Sequence, residues 1–131
     1  MNIKDFIANK PDAEDLRKKY PELVELLDGE FLEDKPNLYP DKNPVVASWE
    51  LEQCRIKNPT YGLFSPGHHE FDTGNNVETI IILEGNVETM NPIEKIAGGY
   101  TKITAENLLD LHAKDSVTYL CFYTPKGELL F

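Results

Sequence analysis

At 131 residues, with 40% apolar and 27% charged residues, the chain has the size and composition of one globular domain built on one core. Its 23 acids against 13 bases leave a net charge of −10, which repels a phosphate backbone and argues against a nucleic acid polymer or an anionic membrane as partner. No apolar run approaches the roughly 20 residues that span a bilayer, and the opening MNIKDFIANKPDAEDLRKKY lacks the apolar stretch of a secretory signal, so a soluble, cytoplasmic protein handling a small molecule is the expectation.

From Pro11 to Asp28 the apolar positions Ala13, Leu16, Tyr20, Leu23 and Leu27 recur at three- and four-residue steps, the spacing of one helical face. Pro21 removes an amide donor and disfavours a helical Tyr20, which predicts two short helices or one kinked helix ended by Gly29, with a further turn over residues 2–8. The opposite face, Glu14, Lys18, Glu22 and Glu25, reads as solvated. Residues 30–44, EFLEDKPNLYPDKNP, hold three prolines among acids and amides and read as a linker, giving a helical extension with linker over 1–44 and a β unit over 45–131.

After Pro44 short runs rich in Val, Ile, Thr, Tyr and Phe alternate with Gly, Pro and Asn clusters. Strands are predicted near 45–50, 51–57, 61–66, 68–72, 77–84, 86–90, 100–103, 108–113, 116–124 and 128–131, an all-β sandwich or barrel. Ile80 to Leu83 is apolar on both strand faces and therefore needs cover on both, from another sheet, the helices or another subunit. Cys54 and Cys121 lie in strand-like runs without a C-x-x-C pair and read as buried reduced thiols.

The stretch YGLFSPGHHEFDTGNNVETIIILEGNVET resembles the first signature of the cupin superfamily: Gly62 precedes His68 by five intervening residues, and Glu78 precedes Gly85 by six. Glu70 stands where that signature has its second histidine, and Asp110, with His112 on the same strand face, stands at the histidine of the second signature. Within the superfamily the chain is most similar to the small cupin-type pyrimidine/purine nucleoside phosphorylases, through Pro66-Gly67-His68-His69-Glu70-Phe71 and Tyr119-Leu120-Cys121-Phe122-Tyr123. It departs from them at Asn76-Val77, where they carry an arginine before the glutamate, and at Phe122, where they carry a glutamate. The resemblance implies a small jelly-roll β-barrel, here with an N-terminal helical extension, and a homodimer.

In the cupin register His68, Glu70 and Glu78 point into the barrel mouth and are the candidate catalytic residues. Two carboxyls close together repel, so one would hold a proton near neutral pH and serve as general acid or bind ribose hydroxyls. Tyr61, Tyr119 and Tyr123 are candidates for stacking on a base, and Arg55 is the best placed cation for an anionic group. Alternatively His68, Glu78 and His112 would hold a divalent metal, their mixed imidazole and carboxylate donors suiting Zn, Mn, Fe or Ni. Three functions remain open at this point: a phosphorylase-like or metal-dependent enzyme, a non-catalytic ligand-binding cupin, and a structural interaction role.

Overall fold

A computed structural model describes residues 3–8, 11–31, 37–38, 46–52 and 59–125. Cys54, Arg55 and the predicted strand at 128–131 lie outside the described residues. Two short helices come first, α1 (Ile3–Ala8) and α2 (Ala13–Lys19), followed by a 3-10 turn at Pro21–Leu23. Asp12 caps α2 by accepting the Asp15 amide at 2.7 Å, while the Asp15 carboxylate accepts the Asp12 amide, a reciprocal cap that satisfies two otherwise orphaned donors. The helix stops at Tyr20, ahead of Pro21, as expected for a residue that proline drives from the helical region.

Eleven strands follow among the described residues: β1 (Glu30–Phe31), β2 (Asn37–Leu38), β3 (Val46–Glu52), β4 (Thr60–Phe64), β5 (Gly67–Asp72), β6 (Asn76–Glu84), β7 (Val87–Thr89), β8 (Ile93–Lys95), β9 (Thr101–Ala105), β10 (Leu108–Ala113) and β11 (Val117–Pro125). They form an eight-stranded sheet in the order β1-β3-β4-β11-β6-β9-β8, with β2 also on β3, and a three-stranded sheet β5-β10-β7. The pairs are antiparallel.

The fold is thus all-β with few helices, and several expectations need correction. The two sheets are not joined by hydrogen bonds into a closed barrel among the described residues. The chain switches sheet at corners, through Pro66, which has no amide to donate, and Gly67 at φ +132°, and again at Gly85 at φ +100°, which breaks the ladder there. The break predicted between residues 50 and 51 does not occur: β3 runs through it from Val46 to Glu52, and residues 53–57 lie outside the described residues. The linker carries β1 and β2, which pair in turn with the two ends of β3, an edge position that suits a segment rich in proline. Strand β8 had no alternating apolar pattern to reveal it, since Ile93, Glu94 and Lys95 are all exposed.

Each side of the large sheet has its own core. On one side Ile81, Leu83, Leu120, Phe122, Tyr61 and Leu63 pack with Phe6, Leu16, Tyr20, Leu23 and Leu27. The helical stripe and the outer face of the doubly apolar strand therefore cover each other within one chain. Lys19 anchors the contact through an ion pair to Glu84 at 2.9 Å, and Tyr100 donates to Glu22 at 3.2 Å. On the other side Ile80, Ile82, Ile103, Phe64 and Tyr119 meet Leu109, Leu111 and Ala113 of the small sheet. No helix among the described residues is long and apolar enough to cross a membrane.

Candidate functional site

The period-two alternation of β6 puts Glu78 on the same side as Ile80 and Ile82, in the space between the sheets. Glu78 is only 4% exposed. Burial pushes it above the usual carboxylate range, opposed by hydrogen bonds from the side chains of Tyr123 and Cys121. Oε1 has no hydrogen-bond partner among the described residues. Tyr123 lies directly opposite Glu78 in the β6–β11 register and is 47% exposed, so the carboxyl sits at the margin of the inter-sheet core. Beside it Cys121 is buried and its thiol is pushed up, first by burial and then by the negative charge of Glu78. A buried acid with one unsatisfied oxygen is unusual in a core, because each unmade hydrogen bond costs about 1–3 kcal/mol.

His68 and Glu70 do not join it. In β5 the residues facing the core are His69 and Phe71, so His68 and Glu70 face outward and are exposed. The inward histidine, His69, escaped the motif reading. Its Nε2 donates to the Ser65 carbonyl at 2.7 Å, which places a proton on that nitrogen, and its ring lies 4.8 Å from that of Phe64. The signal was present in the strand itself: Phe71 has the parity of His69, whereas the cupin spacing had favoured His68.

On the outer face the β5–β10 register sets His68 opposite His112 and Glu70 opposite Asp110. His68 Nε2 lies 2.7 Å from Asp110 Oδ1. Ligand atoms of His68, Glu70 and Asp110 all fall within 4.8 Å of one another. The metal-ligand set predicted as His68, Glu78 and His112 is thus split, Glu78 lying in the core of the other sheet.

The three tyrosines are also separated. Tyr61 packs on the helical side, its ring 5.6 Å from Phe6, and burial raises its hydroxyl to about 12. Tyr119 lies between the sheets, stacked on Phe64 at 4.1 Å. Of the three, Tyr123 alone is exposed, so they do not form one stacking surface for a base. A groove of about 350 Å³ bounded by Asn91, Pro92, Thr104, Glu106, Asn107 and Leu108 contains none of the predicted site residues.

This arrangement defines a two-sheet all-β protein with a buried acid at the edge of its inter-sheet core. No family model matches the chain, and no curated protein matches it. Among solved structures it is similar to a protein of unknown function from Vibrio parahaemolyticus, at 21% identity over 66% of this chain and 94% of that one, with a TM-score of 0.48. It is similar also to a DUF1255 protein of unknown function from an Acinetobacter species, at 19% identity over 69% of this chain and 90% of that one, with a TM-score of 0.46.

Proposed function

We propose that the chain is a cupin-class protein that binds a small hydroxyl-bearing metabolite at the inter-sheet margin, with Glu78 as the principal contact and Tyr123 at the rim. One observation carries this reading: the nearly inaccessible Glu78 carboxyl keeps an unsatisfied oxygen beside a half-exposed phenol. A sugar hydroxyl would satisfy that oxygen. It would donate to the ionised acid or accept from the protonated one, and Glu78 is poised to change between the two because burial raises its pKa. Among such ligands, ribosides are favoured by the resemblance of residues 66–71 and 119–123 to the cupin-type nucleoside phosphorylases, where Glu78 would act on the ribosyl group.

The test is to incubate the protein with a panel of purine and pyrimidine nucleosides and inorganic phosphate, following release of free base, while recording melting temperature with each compound. Turnover that Glu78→Gln abolishes supports the phosphorylase-like reading. Neither base release nor a melting shift with any nucleoside removes the riboside reading. A second reading, ligand binding without turnover, is favoured by Phe122: the position that is a glutamate in the resembling enzymes is here packed in the helix-facing core, on the opposite side of the sheet from Glu78. A melting shift without base release selects it.

A further inference from the structure

We infer that Thr73 is a second ligand contact beside Glu78, and that the two together select a ligand with vicinal hydroxyls, such as the 2′ and 3′ hydroxyls of a riboside. This rests on the reading of Glu78 as the principal contact and adds to it the residue that sets the substrate class. Thr73 is 5% exposed although Asp72 and Gly74 on either side of it are exposed. Its Oγ1, like Glu78 Oε1, has no hydrogen-bond partner among the described residues. Buried hydroxyls and carboxyls are nearly always paired, so two orphans at one place call for a common cause.

The topology brings both residues to one corner. Glu78 stands opposite Ala105 in the large sheet, while Thr73 continues the pairing of β5 with β10 by one residue, its amide donating to the Asn107 carbonyl at 2.9 Å. Ala105 and Asn107 are two residues apart, where the chain passes from β9 to β10. Side chains alternate along β5, and Thr73 has the parity of His69 and Phe71, which face the space between the sheets that also holds Glu78. The turn that carries it is fixed: Asp72 Oδ1 accepts the Gly74 amide at 2.7 Å, and the Thr73 carbonyl accepts the Asn76 amide at 3.3 Å. Open space above Gly74 and the half-exposed Tyr123 opposite Glu78 put this corner at the surface, within reach of a ligand.

The chemistry of the pair narrows the ligand. Hydrogen bonds from Tyr123 and Cys121 hold the Glu78 carboxyl and leave Oε1 over. An ionised carboxylate oxygen only accepts, whereas a threonine hydroxyl both donates and accepts. The two are not bonded to each other, since each stands unpaired. One ligand hydroxyl satisfies one of them; two hydroxyls on adjacent carbons satisfy both, the first donating to Glu78 and the second exchanging a hydrogen bond with Thr73. A site that hydrogen-bonds a hydroxyl in this way rejects the analogue lacking it, because its own buried group is then left unpaired.

The test titrates the full chain by calorimetry with adenosine, uridine and their 2′-deoxy counterparts, comparing the wild type with Thr73→Val and Glu78→Gln. The wild type should bind the ribosides about tenfold or more tighter than the deoxyribosides. Thr73→Val should lose most of that preference by weakening riboside binding alone, while Glu78→Gln should weaken both classes. The melting temperature of Thr73→Val should equal or exceed that of the wild type, because the hydroxyl it removes has no partner to lose. A preference undiminished in Thr73→Val, or absent from the wild type, overturns the role of Thr73, and the reading of Glu78 then stands if Glu78→Gln still weakens binding. A melting temperature several degrees lower in Thr73→Val also overturns it, since the hydroxyl would then be bonded within the folded chain. Failure of all four nucleosides to bind removes both.

Discussion

The two sides of the eight-stranded sheet are built to different rules. The side under the helices is closed and dominated by large apolar groups, with Phe6, Leu27, Leu51, Leu63, Ile81 and Leu120 essentially inaccessible. The side facing the three-stranded sheet has a comparable apolar centre but admits an acid, a thiol and a histidine at Glu78, Cys121 and His69. Stability is concentrated on the first side and polar chemistry on the second. Removing the helical cover should therefore have the largest effect on folding. Phe6, Leu16, Tyr20, Leu23 and Leu27 each contribute about 1.5–3 kcal/mol by burial, which together rivals the whole stability of a domain this size. Deleting residues 1–29 should abolish cooperative unfolding or lower Tm by about 10 °C or more. Leu27→Ala alone should cost about 2–5 kcal/mol in a urea titration.

A smaller effect is expected at the floor of the second side. Gly62 lies beneath Tyr119, and a Cβ there would collide with the tyrosine ring. Gly62→Ala must push that ring off its stack on Phe64, at a cost of about 1–3 kcal/mol, and change the near-UV circular dichroism. If stability and spectrum are unchanged, the floor is looser than its counterpart under the helices.

Glu78 sharpens the contrast through pH. Its folded value is raised above the ordinary 4.5, so the unfolded chain releases the proton first as pH increases. The carboxyl imposes no ionisation cost below that value; the cost grows as pH rises above it and levels off once the folded carboxyl has ionised too. Glu78→Gln should gain stability relative to the parent over that rising interval and show no pH-dependent gain in more acidic solution. Parallel denaturation curves across pH measure the difference, and a gap that shrinks as pH rises would contradict the assigned burial.

Much of this contrast was legible in the residues. The stripe from Ala13 to Leu27 and the doubly apolar Ile80–Leu83 each announced a surface needing cover, and simple burial makes them partners. Strands β4 to β7 and β9 to β11 declared themselves by β-branched and aromatic runs between Gly, Pro and Asn turns. Strand β8, β1 and β2 did not, because edge strands need no buried alternation. The site was harder to read. Motif spacing put His68 and Glu70 with Glu78, but a one-residue change in which side faces the core sends a side chain to the opposite surface, and Phe71 rather than the motif sets that parity. Closure could not be read either, since local pattern does not reveal which strands pair across corners such as Pro66-Gly67.

The smallest predicted effect falls on the outer face of the three-stranded sheet, away from both cores. On the outer face Glu70 opposes Asp110 in register, with the Asp110 side chain 47% exposed, so their repulsion acts through solvent and is modest. Replacing Glu70 by Gln preserves shape and removes one of the two charges. At low salt this should stabilise by about 0.2–1 kcal/mol, and the gain should fade as salt screens the pair. Urea titrations of both proteins at two ionic strengths read all four values. A gain that persists unchanged at high salt would mean that its source is not repulsion between the opposed carboxylates, which salt must screen.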